Sequence, residues 1–319
     1  MMFGQFANRE SLRDLIVALD AHRSKCYHLG MGKNISKSSL ARANQDRYYR
    51  IFEVYAFDST TIDLCLSVFW WAKFRKKKGG IKVHTLYDVE TQIPTFFHIT
   101  SASTHDSKAM SEIPYETDSY YIFDRAYNKF SQLFSINQIS AYFVVRAKKN
   151  LQYKAIKWRR KLPQNVLSDS TIELTTYKSA KGYPKSLRLV RYYDAEQSLE
   201  FVFLTNTMHI SSLMVAELYK NRWQIELFFK WLKQHLKIKK FWGTTENAVM
   251  IQIYDAISTY LLVSIVKHDM QLDRSIYEVL QILSISLTDK THLKYLFDKT
   301  KFQYDKELLG FNEPVLFNV

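Results

Sequence analysis

The sequence predicts an α/β fold: a mixed sheet with a β-rich block set into it and helical N- and C-terminal segments. Three observations carry this expectation. Short runs rich in Val, Ile, Tyr and Phe, each bounded by polar turns, fill residues 54–147. A second set of such runs fills residues 148–205. After Thr205 the apolar residues recur at three- and four-residue spacing, which is the period of a helix.

Taken in chain order, "NRESLRDLIVALDAHR" places Leu12, Leu15, Ile16 and Leu19 on one helical face. "NISKSSLARANQDRYYRIF" opens on cap-forming Asn34 or Ser36 and continues amphipathically. Residues 1–53 therefore read as a helical segment, either DNA-contacting or simply packed on the core. "VYAFD" predicts a strand ending at Asp58, and "IKVHTLYDVETQIPTFFHITSAS" two strands near 81–88 and 95–102. "SYYIFD" predicts a strand ending at Asp124, followed by a helix around 127–138 and a strand "AYFVVRA" at 141–147. The block 148–205 adds "TIELTTY", "LRLVRYY" and "LEFVFLT", with hairpin signals at "SAKGYP" and "DAEQS". Helices are expected over 211–236, 245–269 and 275–285. The division that follows is 1–53, a core in two parts at 54–147 and 206–270, the β block 148–205 between them, and a helical end at 271–319.

Composition bounds the partners. A chain of 319 residues with 47% hydrophobic content is long enough for a sizeable core, and eight glycines and five prolines argue against low-complexity disorder. The net charge of +14 favours a polyanion, with nucleic acid ahead of an anionic membrane surface. Cys26 and Cys65 lack metal spacing and are too few for a disulfide framework, so a reducing interior is expected. "MMFGQFANRESLRDL" has no secretory design, and the run Ala256 to Val266 is too short to span a bilayer. The expectation is a cytoplasmic protein without a membrane partner.

Three carboxylates stand out. Asp58 in "AFDST" and Asp124 in "IFDRA" each close an apolar strand, at the rim where open α/β sheets hold their sites. If the two strands pair in parallel, about 4.8 Å apart, both carboxylates reach one divalent ion. The third is Glu226, within "YKNRWQIELFFKWLKQHL", which reads as one uninterrupted helix. On it Tyr219, Arg222, Glu226, Lys230, Lys233 and Lys237 share a single narrow stripe. Ile225, Phe228, Phe229 and Leu232 wall one side of that stripe, and Trp223, Leu227 and Trp231 wall the other. A helix packed through both flanks would aim the stripe at the strand ends. Three carboxylates there form a hard-oxygen site for Mg²⁺ or Mn²⁺, two ions about 3.5–4 Å apart, acting on a phosphodiester. The surrounding cations make sense if the substrate brings its own negative charge, and the fork of Arg222 suits phosphate. Taken singly, each aspartate also reads as a turn former and Glu226 as part of a salt-bridge ladder. An exposed ladder leaves the two apolar walls unexplained.

These residues carry a resemblance. The chain resembles insertion-sequence transposases of the IS4 family, most closely IS4-like elements of the Bacteroides type. The family pattern Y-(2)-R-(3)-E-(6)-K is met by Tyr219, Arg222, Glu226 and Lys233. "DST" at 58–60, "KGGIKVHTLYD" at 78–88, "STHDSKA" at 103–109, "FDRAY" at 123–127 and "FWGTTENAV" at 241–249 are similar too. The resemblance implies a ribonuclease-H-like fold whose metal ligands and catalytic residues are Asp58, Asp124 and Glu226. It implies Tyr219, Arg222 and Lys233 as contacts to transposon-end phosphates, and residues 148–205 as an insertion domain. It implies DNA as partner, both terminal inverted repeats and target, and a homodimer on paired ends. Relatives carry more sequence before "MMFGQFANRESL" and between "YRIFE" and "VYAFDS", so a shortened copy is expected. Two alternatives follow: a catalytically defective DNA-binding remnant, or a metal-dependent nuclease of the same fold without strand transfer.

Several further residues acquire readings. Arg125 is a phosphate contact or a structural salt bridge, and Lys230 and Lys237, with "LKIKKFWGTT", are expected to track DNA backbone. Ala126 stands where the family often has Gly. It costs about 1 kcal/mol if φ must be positive and is harmless if it opens a helix. "KFRKKKGG" at 73–80 is a solvated or phosphate-contacting loop, Trp70 and Trp71 are read as core ahead of base-stacking platforms, and His84 is a core histidine or a site residue. His105 and Asp106 are expected to cap a helix. Trp158, the one Trp in 148–205, is a stacking platform for a flipped base or a structural aromatic.

Overall fold

The computed structural model describes residues 53–75, 78–236, 241–285 and 292–297. The expectations for residues 1–52, for Lys237 and for much of the C-terminal segment lie outside these. Three long strands form an antiparallel meander: β1 (Val54–Leu64), β3 (Lys78–Asp88) and β4 (Ile93–Ser101), with the short β2 (Lys73–Arg75) on the start of β3. β5 (Tyr120–Phe123) then pairs parallel to β1, and β6 (Tyr142–Arg146) parallel to β5. The meander β1–β3–β4 followed by two parallel strands, in the order β4-β3-β1-β5-β6, is the ribonuclease-H-like arrangement. Beyond β6 the same sheet continues antiparallel through β10 (Leu199–Thr205), β9 (Leu187–Asp194), β8 (Val166–Leu174) and β7 (Tyr153–Trp158).

The pairing follows from side-chain pattern. All four residues of β5 are buried, as a parallel strand covered on both faces requires. On β1, Phe57 and Ala56 point to opposite faces and enter two different cores. One core packs Phe57, Phe123, Phe143 and Val145 against Leu133 and Ile136 of α2 (Phe130–Gln138), the crossover between β5 and β6. The other packs Ala56, Ile81, Val83 and Tyr87 beneath α5 (Trp223–His235) and α6 (Glu246–Asp269). The remaining helices are α1 (Asp106–Ala109), α3 (Tyr177–Gly182), α4 (Ser212–Lys220) and α7 (Ile276–Ile285).

Several expectations are corrected. The stretch 211–236 is two helices, α4 and α5, parted at Asn221 and Arg222. There the backbone bonds tighten to a three-residue spacing, with Arg222 N–H donating to Tyr219 C=O at 3.1 Å and Gln224 N–H to Asn221 C=O at 3.0 Å. α5 buries Ile225, Phe228, Phe229 and Leu232 of one flank, while on the other Trp223 is 59% and Leu227 46% exposed. Its Trp231 side meets α6, ring against Tyr260, whereas no described element covers Trp223 and Leu227. The "SAKGYP" segment does join an antiparallel pair, β8 and β9, but through α3 instead of a tight turn, and Tyr183 just after it is buried against Phe134 and Phe143. "DAEQS" is the expected turn, with Asp194 Oδ1 accepting from the N–H groups of Glu196 and Gln197. Trp70 is 77% exposed rather than core; Trp71 is half-buried and donates to Thr244 C=O at 2.8 Å. Finally, α6 is longer than the apolar run read from the sequence, and by length and composition it would cross a bilayer. It instead buries Val249, Ile253, Ile257 and Tyr260 in the core.

One buried ion pair ties the outer strands to the helices. Arg188 on β9 and Asp169 on β8 are both almost fully buried and bond bidentately, at 3.0 and 2.6 Å. The same guanidinium donates to the carbonyls of Thr207 and Ile210, in the segment that feeds α4. Asp169→Ala leaves that guanidinium buried without its anion. Urea unfolding is expected to show a loss of about 3–5 kcal/mol, partly recovered in the double variant Asp169→Ala/Arg188→Met.

Candidate active site

The register of the parallel strands places the two aspartates. β1 and β5 pair from Val54 with Tyr120 to Phe57 with Phe123, and Asp58 and Asp124 are the next residue on each. β1 does not stop at Asp58 as expected; it runs on to Leu64 with Asp58 opposite Thr85 on β3. The strand that ends is β5, whose Asp124 turns into a short 3₁₀ segment, Arg125–Tyr127. Ala126 lies inside that helical turn and is absent from the positive-φ positions, so it is the harmless alternative that holds. β6 is in register as well, Val145 with Phe123, which puts Arg146 on the same rim one strand further along.

Each of Tyr219, Arg222 and Glu226 meets the rim at a different point. Tyr219 is buried against Phe201 and Phe203, and its hydroxyl donates to Asp124 Oδ1 at 3.3 Å. Arg222, at the break between α4 and α5, forks across the site: Nη1 donates to Asp58 Oδ2 at 2.8 Å and Nη2 to Glu226 Oε1 at 2.5 Å. Asp58 Oδ1 accepts from the N–H of Ser59 at 2.8 Å. Lys230 and Lys233 line a cavity of about 550 Å³ together with Asp58, Thr60 and Glu226. Arg125 lies elsewhere, in a cavity of about 300 Å³ with Arg146 and Lys148.

Burial pushes the Asp58 carboxyl up to about 6; Arg222 and the Ser59 N–H pull it down, and Asp124 and Glu226 push it further up. Burial opposes the charge of Arg222, yet Tyr219, Asp58 and Glu226 hold its pKa above the ordinary value. Arg222 thus does not offset the burial of Asp58. The site's donors are carboxylate oxygens, the ligands of a hard divalent ion. In the present arrangement no three acidic, histidine or cysteine side chains among the described residues stand close enough to share one ion. Asp58 and Glu226 are held by Arg222 and Asp124 by Tyr219, instead of around a common cation position. The donor chemistry fits a divalent ion once that guanidinium is withdrawn.

Two neighbours escaped the sequence reading. Asp106 does not cap; His105 does, its Nδ1 accepting from the N–H of Ser107. Asp106 anchors the backbone beside Asp58 by accepting from Ser59 Oγ at 2.8 Å and Lys82 Nζ at 3.0 Å. Arg146 closes β6 much as Asp124 closes β5, a signal visible in "AYFVVRA" only once the register is known. His84 is the core histidine, buried and bonded to Thr100 Oγ1 at 2.9 Å. Trp158 stands on β7, 60% exposed.

The chain is similar to several known proteins. The transposase DDE domain family matches residues 51–262, and a domain of unknown function matches residues 1–32. A relative from Sinorhizobium fredii, y4zB, named as a transposase, is 36% identical over 213 residues, 65% of this chain and 59% of its own length. A Geobacillus stearothermophilus protein, named as transposase for insertion sequence element IS5377, is 31% identical over 64% of this chain and 54% of its own length. A Synechocystis protein named for element IS4SA is 27% identical over 75% of this chain and 67% of its own. Among solved structures, piggyBac transposase in a synaptic complex with hairpin DNA is similar at TM-score 0.46 and 11% identity, over 77% of this chain and 56% of that one. The chain belongs to the transposase DDE domain family. It spans a little over half the length of the first two relatives.

The raised carboxyl has a consequence for stability. Asp58 titrates near 6 when folded against 3.8 as a free side chain. The stability given by its protonated form is full below about pH 4 and is lost as pH rises through 6. In metal-free buffer at pH 7, Asp58→Asn is expected to be more stable than wild type by about 2–3 kcal/mol. Denaturant titrations across pH should show that gain shrinking below pH 6 and vanishing near pH 4.

Proposed function

We propose that this chain cuts one DNA strand at the end of an insertion sequence and joins the freed 3′-hydroxyl to target DNA. The observation that carries the reading is the register of β1 and β5, which sets Asp58 beside Asp124, with Glu226 joined to Asp58 through Arg222. Relatives named as insertion-sequence transposases support the same class of reaction.

DDE transposases use divalent metal ions; in our reading Asp58, Asp124 and Glu226 would hold Mg²⁺ or Mn²⁺, two ions in all. When bound, such ions supply Lewis acidity to the scissile phosphodiester and its nucleophile. This chain's own side chains position the substrate. The Arg222 fork matches a phosphate as well as it matches carboxylates, so an arriving backbone phosphate competes for it. Transfer of the guanidinium to DNA would release oxygens of Asp58 and Glu226 for metal. Tyr219 steadies Asp124 through its hydroxyl. Lys230 and Lys233, in the cavity with Asp58, would neutralise phosphates next to the cut, and Arg125, in a separate cavity, would take another. Residues 148–205 would serve as the insertion domain, with 54–147 and 206–270 as the two halves of one core. Joining paired ends calls for two such sites, hence a homodimer on DNA.

The test is a duplex carrying the element's terminal inverted repeat, incubated with the full chain and Mg²⁺ or Mn²⁺. Nicking that leaves a 3′-hydroxyl at the element's end is expected. Asp58→Asn should abolish it while gel-shift binding persists, because the change removes a negative charge facing phosphate. Nicking that survives the substitution would refute the assigned metal ligands, and a chain that binds but never nicks would refute the activity.

A further inference from the structure

A second basic surface leaves the site on the side away from Lys230. It begins at Arg146, the third in-register residue of the rim, whose guanidinium lies over the Phe201 ring at 4.7 Å. The chain after β6 runs past the rim, where Lys148 and Lys149, with Arg125 and Arg191, line the cavity of about 300 Å³. Sharing Lys148 and Leu151 with it is a cavity of about 760 Å³, which Lys129, Lys178 and Lys181 also line. The only acid lining either cavity is Glu200, bound to Arg191 at 2.6 Å. Arg125, Arg146, Lys129, Lys148, Lys178 and Lys181 form no ion pair with another described residue. Cations lined up in a concavity without counter-charges repel one another, and a polyanion laid along them removes that repulsion.

The site is therefore reached from two directions. On one, Lys230 and Lys233 share a cavity with Asp58 and Glu226. On the other, Arg146 lines both the basic groove and a cleft of about 670 Å³ that holds Tyr219, Arg222 and Glu226. Joining brings two DNA segments to one phosphate, and there are two cationic tracks to carry them. The groove's contribution is mainly lysine. Lysines on flexible stems act as point charges that bind backbone without reading bases. An element end must be recognised by sequence; a target duplex need not be.

We propose that the groove running from Arg146 past Lys148 to Lys181 holds the target duplex by its backbone phosphates, independently of sequence. This rests on the joining reaction proposed above. The test uses Lys148→Glu/Lys181→Glu, with Lys148→Gln/Lys181→Gln as a milder pair and circular dichroism to confirm that both fold. Three measurements are made: nicking of an end-containing duplex, joining of a pre-cut end to a supercoiled plasmid, and salt dependence of binding to a random-sequence duplex. Joining should fall by about tenfold or more in the Glu pair and less in the Gln pair, with nicking within about twofold of wild type. The slope of log K against log salt should drop by about 2, close to one per phosphate contact removed. Equal losses of nicking and joining would assign the groove to the element end and overturn the proposal, as would unchanged joining with an unchanged slope. If the wild-type chain itself neither nicks nor joins, the proposed function fails instead, and the slope alone decides whether the groove binds duplex DNA.

Discussion

Arg222 sits between two carboxylates separated by 164 residues in one case and four in the other, and the rim takes its form from that fork. Without it, Asp58 and Glu226 would lose, in a half-buried place, the guanidinium that bonds to both. Burial already pushes Asp58 up to about 6 with the guanidinium present. The interaction also explains the break between α4 and α5. Three residues per turn instead of 3.6 change the direction in which Arg222 and Glu226 emerge relative to Tyr219. Tyr219 can then wedge between Phe201 and Phe203 toward Asp124 while the next residues of the motif reach across to Asp58.

That fork needs a fixed base, which the sheet provides on one side and the outer strands on the other. α5 is held on β1 and β3 by a single apolar flank, so its rotation depends on Ile225, Phe228, Phe229 and Leu232 staying in place. α4 is held from the far side. Its N-terminus is capped by Ser211, and the segment just before it is gripped by the buried Arg188 through the carbonyls of Thr207 and Ile210. Strands β8 and β9, far from the carboxylates in the sheet, thereby help to set where Tyr219 and Arg222 stand. A residue behind Asp58 completes the frame: Asp106, bonded to Ser59 and Lys82, fixes the backbone directly after the aspartate.

The parts of this arrangement legible in the sequence are those set by local pattern. Buried strands such as "YYIF" announce themselves by continuous apolar residues, and the matching contexts of the two aspartates followed from that. Long apolar-rich stretches free of Gly and Pro marked α6 and α7 to within a residue or two. What escaped depends on partners distant in the chain. No breaker residue lies between Tyr219 and Leu236, so the division at Arg222 had no local sign. β1 continues past Asp58 only because β3 pairs with it there. β7 is mostly exposed at the sheet edge and therefore shows little apolar alternation. Arg146 looks like any strand-terminal arginine until three strands are aligned. The exposure of Trp223 and Leu227 likewise reflects which neighbours exist, which hydrophobicity alone does not state.

Charge layout then links the local geometry to the chain as a whole. An excess of +14 is usually a statement about a polyanionic partner, but here it is arranged around a patch of opposite sign. Asp58, Asp124 and Glu226 would repel a nucleic-acid backbone if they met it bare. With Arg222 bonded to Asp58 and Glu226 they present less of that charge, and the flanking lysines and arginines supply the attraction. The same guanidinium that makes the rim approachable also keeps the carboxylate oxygens engaged. Backbone phosphate is the one ligand in the proposed reaction that both seeks the cations and competes for Arg222. In the proposed reaction, substrate arrival and opening of the carboxylate set would be coupled through a single side chain, without requiring any rearrangement of the sheet.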